Sequence, residues 1–478
     1  MIDKIPKQVK ATVAFIIAST ITQGLSLLVT PLFVRIMTTE QIGIVTNFNS
    51  WNAIIGVIVN MVLYSSSYVI AMNEFPNERD EYTSCAMSVS LLISGFFLIV
   101  SLAFSDQIAK ALDVDHNLLL LMCVGFSFLP ATNFWLARQR YEYSYLPVLL
   151  FSVISAVLAT GVSILTVYCA DDIGVSAAEA RLYGTYLVNI PIAIFFTVCI
   201  LFKGKTIFRK KYLKFIIIVN SPMIVHSFAK NVLDVSDRVM ITSLIGESAA
   251  GIYGTLYSIS TLIAILWNAI NIGITPYMFS QMNEIENQEG TLRRFTNTLL
   301  FVFFVLSIII VLISPEIVGL FTTAEYVEAI GVVPPLISGC FVTAIYSVIG
   351  NVLLYNKKTN SVMLATILAG ATNIILNRIF IPTMGYHAAA YTTIVGYIVL
   401  TVSLYCSTKK IKNNTPNFID VRFMVMLSAL NVMTSSILKI LYPYAIARYG
   451  IIILIIVLAL LNRRKIQEIL KMVYGNKS

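Results

Sequence analysis

The amino-acid sequence predicts an all-α integral membrane protein of about 14 transmembrane helices, and three observations carry that expectation. The 478 residues are 58% hydrophobic and only 12% charged, with a mean hydropathy of +0.83. A soluble domain carries about 25% charged and about 45–50% apolar residues. No water-soluble fold of this length hides so much apolar surface. Apolar stretches also recur at the length of about 20 residues that a hydrocarbon core requires. Finally, the basic residues crowd into alternate connectors, which is how membrane topology is written.

Charges and clusters of Gly, Pro and Asn break the chain into two sets of seven spans. The first set lies near 11–34, 44–70, 83–104, 117–136, 146–169, 183–202 and 213–243. The second lies near 251–275, 296–314, 327–355, 360–381, 385–407, 421–441 and 445–461. The opening run follows Lys4, Lys7 and Lys10, but it is too long for a signal peptide and has no cleavage-like exit, so it reads as the first span. With this count both termini share one side. Of 33 Lys and Arg, 25 fall in connectors on that side, seven on the other, and Lys230 falls inside span seven. Basic residues favour the cytoplasm, so both termini are expected there.

Several functions are disfavoured. The net charge of +9 sits in connectors and not on a soluble basic face, so nucleic acid is not an expected partner. Six scattered cysteines without CxxC spacing and three histidines offer no metal site, and no cofactor is expected. There is no Gly-x-x-x-x-Gly-Lys-Ser/Thr loop for ATP. The longest outer connector, around 170–182, is too short to house the chemistry of a membrane sugar polymerase or glycosyltransferase. Its Asp171-Asp172 pair reads as a solvated acidic loop, so the chain is not expected to be an enzyme.

The halves look alike under a shift of about 208 residues. Arg35-Ile-Met-Thr-Thr-Glu40-Gln-Ile-Gly43 follows span one, and Ser243-Leu-Ile-Gly-Glu247-Ser-Ala-Ala-Gly251 follows span seven. Gly43 and Gly251 would then occupy equivalent turns, and Ser19, Gln23, Ser26 and Thr30 would match Ser227, Asn231, Asp234 and Arg238. The expected domains are a six-helix bundle over 1–202, a second over 203–407, and two further helices with a tail over 408–478. Repeated bundles around a central site are the usual architecture of secondary transporters.

Span seven breaks the apolar rule. His226, Lys230, Asp234 and Asp237 are spaced 4, 4 and 3, which sets all four on one helix face. Arg238 follows near the outer end, and Asn220 and Ser221 lie nearer the inner end. Ionisable groups at bilayer depth are costly and normally face a cavity or a partner. Lys230 and Asp234 suit an internal ion pair that locks packing, an anion site, or a mixture of both, and His226 either a proton-coupling group or a hydrogen-bonded bystander. Span one carries a milder stripe of Ser19, Gln23, Ser26 and Thr30, with Arg35 at its outer end. A cationic, water-filled lumen suits a pyrophosphate or an acidic sugar, because Lys and Arg replace the water that phosphate loses. Pro31, Pro130, Pro191, Pro222, Pro276, Pro334 and Pro335 can bend helices and let a bundle open on alternate sides.

These stretches carry a family resemblance. Arg35 to Gly43 resembles the first outer loop of the Wzx-type polysaccharide flippases, in the multidrug/oligosaccharidyl-lipid/polysaccharide exporter superfamily. Ser236-Asp237-Arg238-Val-Met-Ile241 resembles their Asp-Arg segment ending span seven, and Gly251-Ile-Tyr253 the turn after it. The run Asn373-x3-Asn377-x3-Ile381-Pro382-x2-Gly385-x2-Ala388-Ala389 resembles the outer turn between spans eleven and twelve, and Arg181-Leu-Tyr-Gly184 its first-half counterpart. The resemblance implies two six-helix bundles facing each other in a V around a central cavity, plus two C-terminal helices. It implies flipping of a lipid-linked oligosaccharide by alternating access in a bacterial plasma membrane. Membrane lipids would be contacts throughout, a coupling ion (H+ or Na+) could drive the step, and a polysaccharide polymerase and chain-length machinery would be possible partners. By the same analogy Arg35, Lys230 and Arg238 would hold the pyrophosphate or sugar; the polar stripes and their repeat match add His226, Asn231, Asp234, Asp237 and Gln23 as cavity candidates. A drug/cation antiporter should carry acidic residues deep in its first bundle, and span one has none. A peptidoglycan-precursor flippase resembles this pattern almost as well.

Overall fold

A computed structural model describes residues 7–283, 289–411 and 418–461. Among these residues the regular structure is helical throughout. The helices of membrane scale are α1 (Lys7–Ile36), α2 (Thr39–Val59), α3 (Arg79–Ala103), α4 (His116–Tyr141), α5 (Tyr145–Tyr168), α6 (Ala177–Gly204) and α7 (Lys210–Leu244). Then come α8, in two segments (Glu247–Ser260 and Leu262–Asn283), α9 (Glu289–Phe321), α10 (Val333–Tyr355), α11 (Thr359–Met384), α12 (Tyr386–Thr408), α13 (Val421–Leu438) and α14 (Ala445–Leu461). Twelve are long and apolar enough to cross a membrane; the apolar parts of α1 and α14, Thr20–Ile36 and Ala445–Leu458, are shorter. The chain is a multi-pass membrane protein.

Local chemistry explains where the helices begin. Thr38 Oγ1 accepts from Gln41 N at 3.2 Å, while Gln41 Oε1 accepts from Thr38 N at 3.0 Å. Ser176 and Glu179 repeat this reciprocal capping ahead of α6 at 3.2 and 3.0 Å. Each box satisfies two amides that the first helical turn leaves without carbonyl partners. Pro334 and Pro335 sit in the first turn of α10, where a missing N–H costs nothing, so they start that helix and do not bend it. Pro31, Pro130, Pro191 and Pro222 do lie inside helices.

The helices are turned inside out relative to a soluble bundle. Helix α3 buries Ser84, Cys85, Ser88, Ser94 and Ser101 while it exposes Leu92, Phe96, Ile99 and Leu102. Small residues let helix backbones approach, and the large apolar side chains face a solvent that is itself apolar.

Contacts divide the chain into two compact units, Met1–Gly254 and Thr255–Ser478. In the first, α5 packs on α6 and α1, α3 on α4 and α6, and α7 lies along α2. An aromatic core of Tyr68, Tyr82, Phe134 and Tyr212 closes its basic end. Above that core, Asp80 meets Lys203 at 3.1 Å and Arg138 at 3.6 Å, and Glu81 and Glu78 pair with Arg209 and Lys211. These pairs tie the connector between α6 and α7 to the start of α3. Hydrogen bonds from Lys211 and then from Tyr212 hold the Glu78 carboxyl below the usual carboxylate range.

In the second unit α10 is the most deeply packed helix, buried from Val333 to Leu353 along most of its length and contacting α12, α13 and α9. Helices α11 and α12 are joined by buried amides and hydroxyls. Asn377 donates to Asn373 Oδ1 at 3.1 Å, Asn373 donates to Thr393 Oγ1 at 3.4 Å, and Thr392 donates to Asn377 Oδ1. The spacing that marked Asn373 and Asn377 in the sequence is the i, i+4 spacing of one helix face. Helix α14 is fastened by Arg448, 4% exposed, which donates to Glu316 Oε2 at 2.6 Å and Leu312 O at 2.8 Å on α9.

Gly43 and Gly251 do not sit in turns, as the sequence suggested. Each lies within a helix, and the starts of α2 and α8 cross at these two positions. A Cβ on Gly43 would overlap the carbonyl of Glu247, and one on Gly251 would overlap the carbonyl of Thr39. The contact is reciprocal, because Thr39 stands to Glu247 as Gly43 stands to Gly251 under the 208-residue shift. Reciprocal contacts of this kind arise at a two-fold relation. Thr39 and Ser248 hydroxyls, 2.7 Å apart, complete the crossing.

Candidate functional site

The polar face of α7 is held against α2 by a side chain of its own. Asn231 Nδ2 donates to Ala53 O of α2 at 2.8 Å, which fixes the rotation of α7 where the stripe is most polar. One residue before it, Lys230 Nζ donates to Asp234 Oδ2 one turn away. The two side chains are 31% and 28% exposed, so they are neither sealed in the protein nor free of it. Of the readings open in the sequence, the ion pair is present, and both partners are partly exposed. His226, a turn earlier, is also half-buried.

Asp237 departs from the expected wet face. It is 1% exposed, its Oδ2 accepts from the Tyr253 hydroxyl at 2.6 Å, and its Oδ1 accepts from Arg238 N at 2.8 Å. Helical spacing fixes the direction in which a side chain points, but not what covers it. At this level the first segment of α8 covers the stripe, so Asp237 fastens α8 to α7. Arg238 beside it is half-buried, and its carbonyl accepts from Thr242 Oγ1 at 3.0 Å. Arg35 is exposed at the C-terminal end of α1. The side chains of Ser19, Gln23 and Ser26 lie outside the described residues.

The structure also brings together residues that the sequence did not group. A cavity of about 220 Å³ opens between α1, α5 and α6, with Thr22, Phe33, Thr160, Ser163, Arg181 and Thr185 on its wall. The Arg181 guanidinium lies over the Phe33 ring at 3.9 Å, and the Arg181 carbonyl accepts from Ser163 at 2.7 Å and Thr185 at 3.0 Å. Arg181 opens the Arg181-Leu-Tyr-Gly184 motif, yet nothing in its spacing links it to Phe33, 148 positions away in the chain.

With this geometry in place, similarity to known proteins adds the family. Residues 9–283 match the family model described as polysaccharide biosynthesis protein. The chain belongs to the polysaccharide biosynthesis protein family. Residues 222–379 also match the family model described as MatE. Among solved structures, the lipid II flippase MurJ in an inward closed conformation is similar, with a TM-score of 0.71 and 17% identity over 94% of this chain and 99% of that one. An inward-facing multidrug resistance MATE family transporter of the MOP superfamily is similar with a TM-score of 0.59 and 14% identity, over 87% and 98%. A MOP superfamily transporter from Pyrococcus furiosus, described as having a binding pocket of reversed polarity, follows at 0.54 and 13%, over 89% and 96%. These likenesses establish the fold. No curated protein matches the chain.

Proposed function

We propose that the chain flips an undecaprenyl-pyrophosphate-linked oligosaccharide from the cytoplasmic to the outer leaflet of a bacterial plasma membrane, for surface polysaccharide synthesis. The observation that carries this reading is a lysine held half-exposed inside a membrane span, with a carboxylate one turn away. An isolated ammonium at this depth is costly, and Asp234 supplies Lys230 with a counter-charge while the site is empty. A pyrophosphate headgroup offers more negative charge than the carboxylate and competes for the lysine. When the headgroup leaves, the ion pair re-forms. Asn231 sets the register of the pair against α2, and Arg238 and Arg35 lie toward the outer end of the same path. Membership in a polysaccharide biosynthesis family supports an oligosaccharide cargo over a drug.

Alternating access is the mechanism in this reading, with residues 1–202 and 203–407 as duplicated six-helix bundles and 408–478 as an addition. The reciprocal Gly43–Gly251 crossing supports the duplication. Both termini are cytoplasmic, and a coupling ion, H+ or Na+, drives the cycle.

The test is surface polysaccharide measured at matched protein levels. Lys230→Ala is expected to lower export about tenfold or more, and Lys230→Arg to retain much of it, because the headgroup contact is charge-assisted. Wild-type export by Lys230→Ala would sink the role. Rescue of a strain depleted of its peptidoglycan-precursor flippase, without any effect on surface polysaccharide, would move the cargo to that class.

A further inference from the structure

We infer that the basic end of α9 carries a separate site for the phosphate of a membrane-lipid headgroup. A cavity of about 520 Å³ opens between the first turns of α9 and α13, lined by Gly290, Arg293, Arg294, Asn297, Thr298, Phe301 and Phe423. Its residues on α9 recur at intervals of three and four, so they form one continuous helix face. That face changes character along its length: two guanidiniums come first, then an amide and a hydroxyl, then a ring.

Depth makes this order meaningful. The 33 residues of α9 span about 50 Å at about 1.5 Å each, against a hydrocarbon core of about 30 Å. The first turns of α9 therefore stand in the headgroup layer, and Phe301, 49% exposed, stands lower beside the acyl boundary. A phospholipid presents the same sequence of chemistry, phosphate above ester above chain.

The two arginines differ in how they are held. Asp420 Oδ2 accepts from Arg293 Nε at 3.0 Å and from Nη2 at 2.5 Å, and Asn297 Nδ2 reaches the same oxygen at 3.3 Å. Asp420 Oδ1 in turn accepts from Phe423 N at 3.2 Å, capping α13. Arg293 is thus fixed in orientation by two helices. Hydrogen bonding from Arg293 holds the Asp420 carboxyl below the usual carboxylate range, so it stays ionised. Arg294 is exposed and has no acidic partner among the described residues. Among the described residues at the cavity, two guanidiniums stand against one carboxylate, which leaves a single net positive charge to match one phosphodiester. The site lies within the second unit and uses none of the residues of the α7 stripe.

The experiment titrates the detergent-purified chain with phosphatidylglycerol, phosphatidylcholine and inorganic phosphate, following bound lipid by native mass spectrometry. Wild type is expected to bind phosphatidylglycerol more tightly than phosphatidylcholine, because the choline cation opposes Arg294. Arg294→Ala should weaken phosphatidylglycerol binding about tenfold, Arg294→Lys should keep most of it, and Lys358→Ala, removing an exposed charge from another connector on the basic side, should leave it unchanged. An Arg294→Ala variant that melts like wild type and binds phosphatidylglycerol equally well overturns the site. Displacement of phosphatidylglycerol by equimolar inorganic phosphate overturns the lipid assignment in favour of a free anion.

Discussion

Asp237 and Lys230 are seven residues apart on one helix, yet the structure gives them different work. The carboxylate of Asp237 is buried under Tyr253, and its removal takes away the 2.6 Å bond that the buried Tyr253 hydroxyl donates to it. Asp237→Ala should therefore destabilise the chain by about 1–3 kcal/mol, with Tyr253→Phe costing less and the double variant costing less than the sum. Thermal melts in detergent measure all three; additive losses would show that the two side chains do not share a bond. Gly43 makes a sharper case. Its Cβ would meet a backbone carbonyl, which cannot swing aside as a side chain can. Gly43→Ala should cost about 3 kcal/mol or more and lower the yield of folded protein, and so should Gly251→Ala. Melting temperatures equal to wild type would refute the crossing. The stripe on α7 was legible from spacing because helical periodicity is strict. The burial of Asp237 was not, because Tyr253 reaches it from the following helix.

At the scale of elements, the connector between α6 and α7 is tied to the start of α3 by carboxylates at positions 78, 80 and 81. Glu78 titrates below its unfolded value in the folded chain. Its contribution is therefore full above the unfolded pKa and is lost as pH falls through the lower, folded one. Melting temperature should decline as pH falls from about 5 toward 3, and Glu78→Gln should show a shallower decline. An identical slope in the variant would remove Glu78 from the account. Helix α14 offers a second test. Arg448 is almost fully buried and its partner Glu316 lies on α9. Arg448→Ala should cost about 1–3 kcal/mol and expose α14 to limited proteolysis before the rest of the chain. Unchanged digestion would mean that the apolar face of α14 suffices. The hydropathy pattern revealed that α14 exists; which helix it leans on shows only in its contacts with α9, an apolar cluster and an ion pair between residues 132 positions apart in sequence.

For the whole molecule, orientation is the first thing to test. The bias of basic residues predicts that a green fluorescent protein fused after Ser478 fluoresces, and that Cys169, exposed beyond α5, reacts with a membrane-impermeant maleimide from outside the cell. Labelling of Cys169 only after permeabilisation would invert the topology.

What the sequence by itself determined is the class and the order of its spans. Apolar length and charge asymmetry are summed over many residues, so they survive errors at single boundaries, and the i, i+4 spacings at Lys230–Asp234 and Asn373–Asn377 needed no partner helix to be seen. Tertiary structure alone decided which polar groups are sealed and which are open: Asp237 under Tyr253, Arg181 on Phe33, and the glycines at the α2–α8 crossing. In a membrane protein both lipid and protein surround a helix with apolar matter. Composition cannot tell the two apart, and only the packing of distant segments can.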